Sequence, residues 1–382
     1  MEFKQIFIKE IIILFFTSRM FFLLFAALAT LVLGLKESYL GKQFDHTSPY
    51  FSWIWANFDG RHYLNIAVLG YRNFDFAFFP LYPSIISLLG YVFPIPHLYL
   101  GIGVSFASYF VAMIMIYKIV KIDYKNSIAK STLLFLSFFP LAFFYNSVYP
   151  DSIFLLLTTL SFYCARKKRW VLAGIVGGLS VFTRISGLSL LPALAVEWYI
   201  QNNGSQTNFK KIVLKFSNSL LITLSLTLLG LVAYMVYLRI NFGDWFLFQK
   251  SMSAWNQQGI IFPPQVVYRY LKIFFLVDKS LLVYWVAVLE FTSFVFYILL
   301  SMYVLRKVRF SYGVFSIILL LMVTFTGTFA GTPRYMLHLF PGFIAMALIF
   351  EKRTLLRRIT IIVFFVLGAI LTGLFTRGYF VT

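Results

Sequence analysis

Residues 55–83, WANFDGRHYLNIAVLGYRNFDFAFFPLYP, gather ionisable groups that the surrounding apolar sequence almost lacks. Asp59, Arg61 and His62 fall within four positions, Tyr63 and Tyr71 follow, and Asp75 precedes a proline-broken aromatic run containing Tyr82. A carboxylate such as Asp59 can take the proton of an attacking hydroxyl while a leaving group departs from the opposite face. Arg61 and His62 can hold a phosphate, because hydrogen bonds between cations and phosphate oxygens are short and strong. Fixed donors aimed at a leaving phosphate also lower the barrier as its charge develops. Plainer accounts compete at each position. Asp59-Gly60 is a common turn signal, and Asp75 can pair with Arg72 in an exposed bridge of little energetic weight.

Further candidates lie along the chain. Arg184 and Arg334, the latter followed by Tyr335, sit beside Gly or Pro at expected outer helix ends, where backbone can approach a ligand. Phosphate binding there competes with snorkelling or with pairing to Asp151. Asp151 follows SVYP at a helix start, where a carboxylate also stabilises free backbone N–H groups. Asp244, Lys250 and Trp255 occupy a second polar stretch, 240–280, placed to meet an acceptor or to form an amphipathic cover helix. Glu290 interrupts an apolar run, and no partner for it can be named. Four scattered histidines and the single Cys164 compose no metal-ligand cluster, and Asp59 and Asp75 alone do not define a site, so no metal ligands are assigned.

The elements that must position these groups are membrane helices. Of 382 residues 60% are apolar and 12% charged, and mean hydropathy is +0.84. No water-facing exterior needs so much apolar surface. The net charge of +20 resides largely in short clusters at 118–130, 166–169, 210–215, 306–309 and 352–358, between apolar runs. That is the positive-inside pattern of a polytopic membrane protein and argues against a nucleic-acid partner. No P-loop and no Gly-rich nucleotide cradle occurs. Keeping every basic cluster inside requires 77–96 to stay at the outer surface, and its four prolines agree. The expected architecture is a single all-α domain over 1–382, N-terminus cytoplasmic. It has about eleven spans, near 20–36, 98–119, 131–147, 151–165, 170–184, 187–200, 216–239, 281–305, 311–330, 335–350 and 357–376. Residues 1–18 are expected to lie at the interface, with Arg19 at the cytoplasmic end of the first span. External loops then cover 37–97 and 240–280. The Asn203-Gly204-Ser205 acceptor motif falls on the cytoplasmic side, and Gly174 with Gly178 reads as helix packing.

The stretch FDGRHYLNIAVLGY…FAFFPLYP resembles the first external loop of the PIG-V family, the second mannosyltransferase of glycosylphosphatidylinositol assembly, and of its prokaryotic relatives. Phe58 stands where the family usually has tryptophan. Further along, FPLAFFYNSVYPDSIF (139–154) is similar to a family segment with Asp151 in place of glutamate, and TRISGL (183–188) to one in which Ile185-Ser186 replaces the usual pair. FGDWFLFQKSMSAW (242–255) and PRYMLHLFP (333–341) resemble later segments, in the same order. The resemblance implies a GT-C-type fold and an enzyme that takes a hexose, mannose by preference, from a polyprenyl-phosphate carrier on the non-cytoplasmic side. It places the catalytic acid on Asp59. The implied partners are membrane lipid, the lipid-linked donor and a glycan or glycolipid acceptor, with room for a polytopic partner subunit. A divalent cation is compatible with the resemblance but not demanded.

Two other readings stay open at this level. A lipid or sugar transporter concentrates polar groups near the bilayer midplane, whereas here they cluster in outer loops. A non-catalytic subunit of a transferase would share the helices but not need Asp59.

Overall fold

A computed structural model describes residues 2–36, 50–203, 217–255, 257, 259 and 261–382. Glu37 and Asp45 of the first loop, the basic cluster 210–215 and most of the Asn203-Gly204-Ser205 motif lie outside the described residues. All regular structure among the described residues is helical. The helices of ten or more residues are α1 (Glu2–Val32), α2 (Asp59–Leu69), α3 (Leu81–Val92), α4 (His97–Asp123), α5 (Asn126–Ser137), α6 (Asp151–Arg166) and α7 (Trp170–Thr183). They continue with α8 (Leu190–Asn203), α9 (Asn218–Phe242), α10 (Pro263–Leu276), α11 (Leu282–Tyr303), α12 (Phe310–Thr324), α13 (Phe340–Ile349) and α14 (Thr354–Thr376).

Among the described residues, five helical stretches are long and apolar enough to cross a bilayer: Ile8–Val32, His97–Asp123, Asn218–Phe242, Leu282–Val308 and Thr354–Thr376. The protein is thus a multi-pass helical membrane protein. The other expected spans fold as helices of ten to sixteen residues, several of them joined to 3-10 turns. Within 77–96, α3 has only twelve residues. At about 1.5 Å per residue it reaches about 18 Å, well short of a hydrocarbon core of about 30 Å.

Two expectations are corrected. Residues 1–18 do not form a separate interfacial segment, because α1 runs unbroken from Glu2 to Val32. Arg19 therefore sits mid-helix and only 2% exposed, not at a span's end. The expected span 131–147 is broken: α5 stops at Ser137, and a 3-10 turn, Ala142–Asn146, follows Pro140. These two departures explain each other. A chain break at Pro140 strips carbonyls of their helical donors. The Arg19 guanidinium donates to the Ala142 carbonyl at 2.8 Å, the Ser137 carbonyl at 3.1 Å and Asn146 Oδ1 at 2.7 Å. It also lies over the Tyr109 ring, 4.6 Å from its centroid, and makes no ion pair among the described residues. A buried cation is tolerable when carbonyls and ring faces replace its water.

The chain divides into two compact units. The first comprises residues 1–72, 81–156 and 346–381, the second 73–80, 157–345 and 382. In the first unit α1 lies along α14, with Phe21 and Phe22 against Gly368, and Ala29 against Gly373. In the second, α7 and α9 meet through Gly174, Gly177, Gly178 and Gly230, where an added Cβ would overlap the facing helix. Gly174 and Gly178 are therefore packing residues, as read from their spacing.

The second unit also holds an ionic cluster that the sequence does not reveal. Glu197, fully buried on α8, accepts from Arg309 Nε and Nη2, both at 2.7 Å, from Ser311 Oγ at 2.6 Å and from Gln201 Nε2 at 2.6 Å. Arg166 stands 3.5 Å from the same carboxylate and donates to the Tyr312 hydroxyl at 3.1 Å. Two basic clusters that read as surface topology signals thus each send one arginine inward.

Candidate functional site

Asp59 is the first residue of α2, in the turn where free N–H groups favour a carboxylate. The residue before it, Phe58, has φ +56° and ψ −119°, a conformation that costs a bulky side chain energy. Several contacts impose it. Asn57 Nδ2 donates to the Phe375 carbonyl at 3.0 Å, and the Tyr149 hydroxyl donates to the Asn57 carbonyl at 2.7 Å. Val148 N–H donates to the Trp55 carbonyl at 2.9 Å, and the Phe58 ring packs against Phe375 and Phe380. Gly60 completes the fit, since a Cβ there would press on the Val148 carbonyl and the Tyr149 ring at 3.3 to 3.4 Å. The Asp-Gly pair therefore does more than turn the chain: it lets a strained loop enter a helix closely against 148–149, leaving Asp59 partly exposed.

Below Asp59 the first unit is tightly filled. Arg61 is 5% exposed, and burial lowers its pKa from the usual arginine range. His62 is half-buried beside it. Tyr63 meets Tyr82 edge-on at 5.4 Å and Tyr149 at 6.5 Å. Tyr82 is fully enclosed, with its hydroxyl bonded to the Gly101 carbonyl and to Ser105 Oγ, each at 2.9 Å. Burial pushes that hydroxyl's pKa far up, and the nearby Asp151 carboxylate acts in the same direction. Tyr82 and Tyr63, expected on a substrate's face, are both buried in this packing, Tyr82 completely. Asp151 is the first residue of α6, in keeping with its helix-start reading, and is fully buried.

The second unit collects the other candidates. Arg184 caps the end of α7, and its guanidinium lies over the Tyr335 ring, 4.8 Å from the centroid. Arg334, 8% exposed, is in the short helix Thr332–Tyr335, which Gly331 introduces at φ +80°. Tyr335 also meets the fully buried His338 edge-on at 5.6 Å. The structure thus brings Arg184 to Tyr335, the residue next to Arg334, across 151 positions of sequence. Asp75 lies half-buried in a 3-10 turn, Asn73–Ala77, that is pinned on α9 by the Tyr234 hydroxyl donating to the Phe76 carbonyl at 2.7 Å. Trp255 packs against Phe78 at 5.6 Å.

Asp244 and Lys250, read either as acceptor contacts or as part of a cover helix, pair with each other at 2.5 Å, and Asp244 also accepts from Phe246 N–H at 2.9 Å. The hydrogen bond from Lys250 holds the Asp244 carboxyl below its ordinary range. The Lys250 side chain stays largely exposed beyond this pair.

Glu290, which had no nameable mate, accepts from the Tyr270 hydroxyl at 2.5 Å. Tyr270 in turn accepts from Phe329 N–H and bonds Thr328 Oγ1, each at 3.1 Å, tying α10 to α11 and to the loop before Arg334. No three His, Cys, Asp or Glu side chains converge as metal ligands among the described residues.

No protein-family model matches the chain, and no curated protein matches it. Among solved structures it is similar to the crystal structure of the Archaeoglobus fulgidus oligosaccharyltransferase in complex with zinc and sulfate, at 12% identity and a TM-score of 0.42. The likeness covers 96% of this chain and 53% of that one, so the chain spans about half that protein's length.

Proposed function

We propose that this chain is a GT-C-type membrane glycosyltransferase. It moves a hexose, mannose first among them, from a polyprenyl-phosphate carrier to a hydroxyl of a lipid-linked or glycan acceptor at the non-cytoplasmic face. The observation that carries the reading is the seating of Asp59: a partly exposed carboxylate at a helix start, held by a strained residue and by Asn57. The ordered resemblance to the PIG-V family supports the same assignment.

In the proposed step the acceptor oxygen attacks the anomeric carbon as the bond from that carbon to the carrier phosphate breaks. The acceptor's proton passes to Asp59, and the phosphate leaves with the electron pair, so the anomeric configuration inverts. Two groups of cations compete to receive the phosphate: Arg61 with His62 in the first unit, and Arg184 with Arg334 and Tyr335 in the second. Either supplies charge-assisted hydrogen bonds where negative charge develops.

The test uses purified protein with labelled polyprenyl-phosphate-mannose, polyprenyl-phosphate-glucose or GDP-mannose, plus a membrane lipid extract. Label should pass from a lipid-linked donor into a product of inverted configuration, and none should come from the nucleotide sugar. Transfer from GDP-mannose alone, or from no donor, refutes the reading.

A further inference from the structure

The first unit contains a cavity of about 210 Å³ that the proposed reaction does not use. Its walls come from α1 (Glu10, Ile11, Leu14), α4 (Tyr117), α5 (Lys130, Leu133, Leu134) and α14 (Arg357). These are the helix ends that carry Lys9, Lys118, Lys121, Arg353 and Arg358, which the positive-inside bias assigns to the cytoplasmic leaflet. We propose that this cavity binds the headgroup of an anionic phospholipid, with the phosphate on Arg357 and Lys130 and the first acyl carbons on Leu14, Leu133 and Leu134.

Three features carry the assignment. First, the lining is mixed: Ile11, Leu14, Leu133 and Leu134 are aliphatic, and Glu10, Tyr117, Lys130 and Arg357 carry polar groups. An amphiphile matches such a lining, whereas a sugar leaves its aliphatic part unused and a fully apolar ligand its polar part. Second, the charges do not cancel. Glu10 pairs with Lys130 at 2.6 Å, whereas the Arg357 guanidinium has no hydrogen-bond or ion-pair partner among the described residues. An arginine with open donors presents the fork that fits a phosphate's two oxygens. Third, the volume is below the roughly 300–1,000 Å³ of sites that enclose whole ligands. It suits a headgroup whose chains continue along the outer helix surface. Basic hollows between membrane helices attract anionic headgroups for these reasons.

The Glu10–Lys130 bridge sets the sign of a decisive control. Both side chains are more than two-fifths exposed, so the bridge itself is weak. Glu10 repels an incoming phosphate and occupies Lys130. Its neutralisation therefore strengthens binding, an effect that damage to the fold would not produce.

Native mass spectrometry of the full-length protein in detergent tests this. The probes are phosphatidylglycerol and phosphatidylcholine with matched chains, and inorganic phosphate as competitor. One phosphatidylglycerol should bind saturably, about tenfold tighter than phosphatidylcholine. Arg357→Gln should weaken it about tenfold, as expected for losing one charge-assisted contact, with Arg357→Lys retaining most of the affinity. Glu10→Gln should tighten it about threefold, and Arg353→Gln, at an exposed position outside the cavity, should leave it unchanged. The proposal is overturned by equal binding of the two lipids, by an Arg357→Gln protein that binds like wild type, or by an equal loss in Arg353→Gln. Displacement by phosphate at lipid-like concentrations would overturn it too, because the aliphatic wall would then contribute nothing.

Discussion

Asp59 and its neighbours could be picked out from sequence because scarce charges among apolar runs are conspicuous. What holds Asp59 could not, since Asn57 reaches Phe375 across 318 positions and Tyr149 reaches back to Asn57 across 92. If that holding matters, Asn57→Ala loses about 1 kcal/mol of stability, one buried hydrogen bond. In kinetics kcat falls about tenfold while KM stays within about twofold, because the carboxylate is displaced rather than removed. A thermal melt and steady-state kinetics read the two effects separately. Asp244 and Lys250 illustrate another case, in which residues of suggestive type bond to each other at the surface. Asp244→Asn and Lys250→Ala should each leave transfer within about twofold of wild type. The Asp244 pKa is lowered in the folded chain. Its small contribution to stability is therefore present above the ordinary aspartate range and is lost as pH falls through the lowered value. In Asp244→Asn that acid-side dependence disappears from the melting profile.

At the scale of helices, apolar runs and basic clusters locate most elements within a few residues. Glycine spacing also marks α7 as a packing helix, although not that α9 is its partner. Two things escape such a reading. Hydropathy does not register that Pro140 ends a helix inside a run that reads as a span, nor that Arg19 supplies the missing donors. Charge counting does not register direction: Arg166 and Arg309 belong to basic clusters yet turn inward onto Glu197. The Glu197 carboxylate holds α8 to the start of α12 with both oxygens occupied. Glu197→Gln leaves two buried guanidinium groups without their anion and should cost about 3–5 kcal/mol. In a chemical or thermal denaturation series it should rank well below any exposed charge variant of similar size. A loss under about 1 kcal/mol would show that water reaches the cluster.

For the whole molecule, the multi-pass helical class follows from composition alone, and the short helix within 77–96 agrees with its prolines. The division into two units does not, because residues 73–80 belong with 157–345 while the residues on both sides belong to the other unit. A contiguous sequence motif is thus divided between bodies, and spacing along the chain gives no sign of it. At this scale the account makes one claim above the others, that Asp59 takes the acceptor's proton during sugar transfer. It is tested most directly by transfer from labelled polyprenyl-phosphate-mannose, measured for wild type and Asp59→Asn at saturating donor, with donor affinity determined in parallel. Asn keeps the shape and removes the base. The account predicts that kcat drops by about 10² or more while donor affinity and melting temperature hold. Transfer by Asp59→Asn at wild-type rate would contradict it.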